Sequence, residues 1–199
     1  MLNIVEEMRK EIINRSNSFE KLTKGTKDEY NLYREHIQYV YNYVIILSKD
    51  EDVDLEVLKL SALLHDISMT DINLDRDKHN EYSADIAVKY LKKYNYPQDK
   101  IDKVYACILN HSSKRKNYRT TREEEILVNS DCLSHFDSIN NLYNLAHNVI
   151  GLNDEESIKY VQDKLTRDYY ELDDRLRLLI DDKYMSVMSS DIEIFKKSK

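Results

Sequence analysis

Apolar residues recur along the first fifty positions at the three- and four-residue spacing of amphipathic helices. Residues 3–15 show this spacing at three positions, Ile4, Met8 and Ile12. A polar break follows over residues 16–27, and a long helix is predicted over about residues 28–48. The apolar stripe of that helix consists of Leu32, His36, Val40, Tyr43 and Leu47. This stripe predicts that His36 points into the core.

Capping residues divide the middle of the chain into shorter helices. Asp54 is suited to cap a helix that runs to His65 and Asp66, because its side chain accepts hydrogen bonds from free backbone amides. Residues 70–78 are polar and without periodicity, which indicates a loop. The next helix begins at His79, and its stripe comprises Ser83, Ile86, Ala87, Tyr90 and Tyr94.

Two more helices with polar residues on their apolar stripes follow. Pro97 lies where a helix can begin, and the face after it comprises Ile101, Val104, Ile108 and His111. A basic loop over residues 112–122 comes next. Thr121 and Glu124 then form a capping-box pattern at the start of a helix whose successive turns present Leu127, Asp131 and His135. Beyond Gly151 we predict amphipathic helices over residues 153–181 and 184–197.

The composition supports an all-helical chain. Only two glycines and one proline occur among 199 residues, fewer turn residues than an all-β or doubly wound fold needs. A chain of this length with 41% hydrophobic residues can bury one good core. The net charge of −7 disfavours a polyanionic partner, so we expect no polymeric nucleic acid. Without a long apolar run or a disulfide framework, the expected location is the cytoplasm, with no membrane partner.

Residues that bind metal ions recur on successive apolar stripes. A single histidine on such a face is more often a core residue with a hydrogen-bond partner than a ligand. Several imidazoles and two carboxylates buried together are different, because they would leave costly unpaired polar groups unless a cation binds them. Imidazole with carboxylate suits Mn, Fe, Ni or Zn better than Ca. The candidates are His36, His65, Asp66, His79, His111 and Asp131.

The order of these residues resembles the HD-domain superfamily of metal-dependent phosphohydrolases. Its pattern is a His on one helix, a His-Asp pair on the next and a distal Asp, which match His36, His65 with Asp66, and Asp131. The stretches 61–67, 79–84, 108–112 and 125–131 continue the likeness, which covers roughly residues 30–140. The residues around Asp131 depart from one pyrophosphatase-like branch, because they lack its acidic and basic neighbours.

This resemblance implies an all-α HD-domain helical bundle with additional C-terminal helices. We expect a single domain over residues 1–199, with a core at about 28–150 and helices at about 153–197 packed on it. It also implies a divalent transition metal such as Mn, Fe or Ni, held by His36, His65, Asp66 and Asp131. Members with two extra histidines resemble two-metal enzymes, so Asp66 would bridge to a second metal at His79 and His111. His65 and Asp66 are the implied catalytic residues.

The expected activity is hydrolysis of a small phosphorylated substrate, such as a nucleotide, a phosphomonoester or a pyrophosphate, by metal-activated hydroxide. Basic residues near the histidines are either solvated or bind the substrate phosphates. These residues are Lys78, Lys114, Arg115, Lys116, Arg119 and Arg122. His135 either orients the carboxylate of Asp131 or packs in the core. Cys132 is interpreted as a small buried hydrophobic residue.

Two other functions are consistent with the same residues. Some HD-type proteins with six ligands resemble mixed-valent di-iron oxygenases, and the basic loop is a weak argument for hydrolysis instead. The second alternative is a module that binds metal and nucleotide for sensing, without turnover. A structural metal site usually has four ligands, so six candidates disfavour a purely structural role. In either case the helices after residue 150 would serve dimerisation, so a homodimer is a further expected partner.

Overall fold

Helices account for the regular secondary structure of the part of the chain that the structure describes, residues 3–26 and 29–190 of a computed structural model. We label the α-helices of these residues in chain order: α1 Ile4–Thr23, α2 Gln38–Leu47, α3 Leu55–Leu64, α4 His79–Lys93, α5 Gln98–Asn110, α6 Arg122–Asp137, α7 Ile139–Asn144, α8 Asp154–Glu171 and α9 Asp174–Met188. Short 3₁₀ turns occupy Ile67–Thr70, Arg76–Lys78 and Ser113–Tyr118. Two π-helical turns, Tyr33–Ile37 and Leu145–Ile150, precede α2 and follow α7. The all-α expectation is confirmed.

Local capping fixes the starts of the central helices as the sequence predicts. Asp54 Oδ1 accepts hydrogen bonds from the backbone amides of Glu56 at 3.1 Å and Val57 at 3.2 Å, which starts α3. Thr121 and Glu124 form the reciprocal capping box of α6. Since these bonds span only two or three residues, the sequence alone contains the information for them.

The first helix is longer than its sequence indicates. The polar break expected over residues 16–27 is wrong as far as Thr23, because α1 continues to that residue. Two of its polar side chains are buried in hydrogen bonds: the Ser16 hydroxyl accepts from Tyr33 N at 3.1 Å, and the Thr23 hydroxyl donates to Phe19 O at 2.8 Å. Hydroxyl groups satisfied in this way are compatible with a helix interior. The predicted helix over 28–48 begins later, in the π turn at Tyr33, and residues 27–28 lie outside the described residues.

The boundary between the last two helices was wrong by about ten residues. The break lies at Leu172 and Asp173 rather than at 182–183. Asp173 caps α9 by accepting a hydrogen bond from Leu176 N at 3.0 Å, and Asn129 of α6 bonds both its backbone amide and its carboxylate, each at 3.2 Å. A contact from another helix therefore sets this break. Residues 191–197 of the second predicted helix lie outside the described residues.

Helices α1 to α6 together form the main core. Helix α2 packs against α6, α4 packs against α5, and α3 lies among α1, α2 and α5. A second apolar cluster, formed by Phe136, Leu142, Val161, Leu165 and Val187 among others, packs α8 and α9 onto α6 and α7. The assignment of the whole chain to one domain stays a prediction. Among the described residues, no helix is both long enough and apolar enough to cross a bilayer.

Candidate metal centre

The six predicted metal ligands lie together at the centre of the bundle. His65 follows the last residue of α3, His111 follows the last residue of α5, and His79 is the first residue of α4. Asp131 lies in the middle of α6, and His36 lies in the π turn before α2. Single π turns inside helices occur frequently at functional sites. The core packing of five different segments thus turns these side chains toward one point.

Each of the four imidazoles is oriented by a hydrogen bond from its outer nitrogen. Nδ1 of His65 donates to Ala62 O at 3.0 Å, that of His79 donates to Arg76 O at 2.9 Å, and that of His111 donates to Ile108 O at 2.6 Å. A carbonyl oxygen can only accept, so these three rings carry their proton on Nδ1. Their Nε2 atoms therefore face the centre.

The fourth imidazole is oriented by a serine. Ser134 donates its hydroxyl proton to Asp131 O at 2.7 Å, so its oxygen is left to accept from His36 Nδ1, which lies 3.3 Å away. His36 therefore has the same tautomer as the other three rings. Such an outer hydrogen bond is characteristic of histidines that bind metals.

The inner atoms form two groups of three. In the first group, His36 Nε2 lies 3.1 Å from both His65 Nε2 and Asp131 Oδ1. In the second group, His79 Nε2 lies 3.2 Å from His111 Nε2, and Asp66 Oδ1 lies 3.6 Å from each of them. Within a group, all ligand atoms lie within 4.8 Å of one another.

Asp66 lies between the two groups. Its Oδ1 faces His79 and His111, while its Oδ2 lies 3.7 Å from His36 Nε2 and 3.8 Å from His65 Nε2. One carboxylate thus presents an oxygen to each group.

The electrostatics keep both carboxylates charged. Burial by itself favours the protonated form of Asp66, but His65, His79 and His111 outweigh it and hold the pKa of Asp66 well below its usual range. For Asp131, burial is likewise outweighed by His135 and His36, and its pKa is also held well below the usual range. Both side chains are therefore anionic at neutral pH.

The pKa values of the two histidines in the first group shift in opposite directions. Burial opposes protonation of His65, but Asp66 and Asp131 outweigh it and raise the pKa of His65 to about 9. Burial dominates at His36 and lowers its pKa. A metal ion held by His65 would have to displace a proton from this ring, so its binding would release protons.

These residues fit divalent metal ions. Oδ1 of Asp66 and Oδ1 of Asp131 are buried, and neither accepts a hydrogen bond from the described residues. Buried oxygens without a donor are rare and need an explanation such as an ion. Mixed imidazole and carboxylate ligands suit divalent transition metals. The two groups can thus hold metal.

Two cavities reach this cluster from different sides. An open cleft of about 300 Å³ has Asp66, His79, His111 and Asp131 on one wall and α8 on another. A smaller apolar pocket of about 90 Å³ reaches His36 and Asp66, and its walls include Tyr30, Leu142 and Val149. The cluster is therefore accessible to a small molecule.

His135 is fixed by two residues that the sequence analysis missed. Its Nδ1 lies 3.1 Å from Asp168 Oδ2, and Lys164 donates to both oxygens of Asp168, at 2.7 and 2.9 Å. His135 stacks on the His36 ring, with 5.1 Å between ring centroids, while its Nε2 lies 3.9 Å from Asp131 Oδ1. That distance exceeds a hydrogen bond, so orientation of Asp131 by His135 stays a prediction. In the sequence, Lys164 and Asp168 are four residues apart, as in an ordinary ion pair on a helix surface, so nothing marks them as neighbours of His135.

The six lysine and arginine side chains that the sequence suggested for phosphate binding line neither of these two cavities. Four of them have partners: Arg115 donates to Asn110, Lys116 and Arg119 pair with Glu171, and Arg122 pairs with Glu51. Lys78 and Lys114 are exposed. The structure thus brings together the six candidate ligands, whereas none of these six cations lines a cavity that reaches them. Their contact with substrate stays a prediction.

Comparison with known proteins identifies one family. The family model of the HD domain matches residues 33–142, more than half of the chain, and this segment includes all six predicted ligands. No curated protein and no solved structure shows a significant match. The resemblance noted in the sequence is confirmed, and the chain belongs to the HD-domain family.

Proposed function

We propose that this protein is a phosphohydrolase that uses two divalent transition-metal ions to cleave a small phosphorylated substrate. The observation that supports this proposal best is the convergence of four Nε2 atoms on two anionic carboxylates, with every Nδ1 bonded elsewhere. The HD-domain family is one of metal-dependent phosphohydrolases, which agrees with this chemistry.

The residues divide between the two metal ions by proximity. His36, His65 and Asp131 would hold the first ion and His79 and His111 the second, with one oxygen of Asp66 for each. When bound, divalent metal ions polarise the oxygens of a phosphoryl group and lower the pKa of a bound water molecule to about 7.

The protein's own contribution is orientation and charge. The outer hydrogen bonds of the imidazoles fix the rings, so little reorganisation is needed when the site is loaded. The carboxylates of Asp66 and Asp131 remain ionised and offset part of the positive charge of the metal ions. Because ligation requires a free lone pair, loading of the site would release the proton that the raised pKa of His65 favours.

The side chains near the cluster argue against covalent catalysis by a thiol. Cys132 is adjacent to Asp131, but burial raises the pKa of its thiol well above the usual range, and its Sγ donates to Asp168 Oδ1 at 3.8 Å. The thiolate is the nucleophilic form of cysteine, so this residue is inert at neutral pH. Water is therefore the nucleophile that we propose.

The cavities favour a small substrate. The open cleft, at about 300 Å³, lies at the lower end of the range for small-molecule sites. The adjoining apolar pocket would accept only a small part of an organic group. A nucleotide, a phosphomonoester or a pyrophosphate remains the proposed substrate class.

The test is elemental analysis of protein purified without chelator, combined with phosphate release from a panel of phosphorylated compounds in Mn²⁺. We expect two metal ions per chain and release of phosphate or pyrophosphate. His36→Ala should lose metal, whereas His147→Ala should not, because His147 lies away from the cluster beside Asp154. Two irons with oxygen uptake and no release would instead support an oxygenase. Nucleotide binding without turnover would support a sensor, and absence of metal would refute the proposal.

A further inference from the structure

Helix α8 forms one wall of the open cleft, and candidate metal ligands form another wall. Its cleft-facing residues recur every three or four positions: Tyr160, Lys164, Arg167, Asp168 and Glu171. This spacing defines one face of a helix. The helix begins at Asp154, so this wall lies outside the segment that the HD-domain model matches.

The acidic residues on this wall are already neutralised. Asp168 receives two hydrogen bonds from Lys164. Glu171 pairs with Arg119, and Lys116 lies 3.8 Å from it. Neither carboxylate is therefore an uncompensated negative charge that would repel an anion from the cleft.

Arg167 differs from the other cations on this wall. Its side chain is exposed to the cleft, and its guanidinium forms no ion pair or hydrogen bond with the described residues. Lys164, in contrast, is held by Asp168. Two basic residues, Lys164 and Arg167, are among the described residues that line the cleft. Of these two, Arg167 is the one whose N–H donors remain available to a ligand.

We propose that Arg167 binds the phosphoryl group of the substrate from the side opposite the metal centre. A guanidinium presents two parallel N–H donors that match two oxygens of a phosphate. This inference rests on the proposed function, and it narrows the substrate class. A group contacted from two walls at once needs several free oxygens, so the substrate has a terminal phosphate rather than an internal phosphodiester.

The experiment measures binding of inorganic phosphate to the Mn²⁺-loaded chain by calorimetry, and KM and kcat for p-nitrophenyl phosphate. Arg167→Gln removes the charge at nearly constant size, and Arg167→Lys keeps the charge without the paired donors. Arg175→Gln is the matched control, because Arg175 is exposed on α9 and lies outside the cleft. Metal content is measured in every variant.

We expect Arg167→Gln to weaken phosphate binding roughly ten- to a hundredfold, the range for losing hydrogen bonds to a charged group. KM should rise by a similar factor, Arg167→Lys should recover part of the loss, and Arg175→Gln should match the wild type. Unchanged phosphate affinity in Arg167→Gln overturns the proposal. Loss of metal in that variant also overturns it, since the effect would then not be a direct contact.

The two proposals fail in different ways. If the wild type binds phosphate and Arg167→Gln does not, but no compound in the panel is hydrolysed, the hydrolase proposal fails and Arg167 is still supported as an anion ligand. If the wild type hydrolyses p-nitrophenyl phosphate and Arg167→Gln does so with unchanged KM, the role of Arg167 is refuted and the hydrolase stands. Failure of the wild type to bind millimolar phosphate refutes the Arg167 site directly.

Discussion

Replacing Glu124 by glutamine should destabilise the fold far more than its chemical similarity suggests. The side chain is buried, with 1% of the residue exposed. Its Oε2 accepts from the backbone amides of Thr120 at 2.8 Å and Thr121 at 2.9 Å, while Oε1 accepts from Asn110 Nδ2 at 2.6 Å. Glu124 thereby joins the start of α6 to the last residue of α5, directly before His111.

A glutamine can satisfy only one side of this arrangement. If its carbonyl accepts from the two backbone amides, its NH₂ group faces the NH₂ group of Asn110. Asn110 cannot simply rotate its amide, because its Oδ1 accepts from Arg115 Nε at 2.9 Å. One buried hydrogen bond is lost and two are weakened by loss of the charge. The expected cost is about 2–4 kcal/mol in the free energy of unfolding.

The pH dependence gives a second check. Burial alone would raise the pKa of Glu124, but the hydrogen bonds from Asn110, Thr120 and Thr121 outweigh it and lower the pKa. A carboxyl whose pKa is lower in the folded state stabilises above its unfolded pKa, here near 4.5. The difference between wild type and variant should be complete at pH 7 and decrease as the pH falls below about 4.5.

The assay is urea unfolding with a metal chelator present, since bound metal would add its own stabilisation. Glu125→Gln is the control, because Glu125 is exposed and its ion pair with Arg122 contributes at most about 1 kcal/mol. If Glu124→Gln unfolds at the same urea concentration as Glu125→Gln, the reasoning about the buried carboxylate is wrong.

The remaining predictions concern the metal centre. Asp66→Ala should abolish metal binding and turnover, since this carboxylate serves both groups, and a normal metal content by elemental analysis would contradict that role. Asp131→Ala should remove the first metal; full activity would exclude it as a ligand. His79→Ala and His111→Ala should each lower the metal content by one ion per chain, and no change in either would reduce the centre to one metal. Ser134→Ala should weaken Mn²⁺ binding roughly ten- to a hundredfold in a competitive titration, since it frees the His36 ring; equal affinity would argue against this orienting role.

The sequence by itself determined the helical class, several helix starts and the set of candidate ligands. Helix starts such as those at Asp54 and Thr121 depend on hydrogen bonds within three residues, so they can be predicted locally. These candidates were identifiable because their residue types are unusual on apolar stripes and their order matches a family pattern.

Only the tertiary structure decided the contacts between distant segments. The break before α9 depends on Asn129 of α6, and Arg119 is engaged by Glu171, 52 positions away. The same packing places α8 across the cleft and presents Arg167 to it. From the sequence, Arg167 and the residues of the basic loop cannot be told apart as exposed charges. The packing of the helices determines which groups lie within reach of a long, flexible cationic side chain. Local spacing contains no information about that packing.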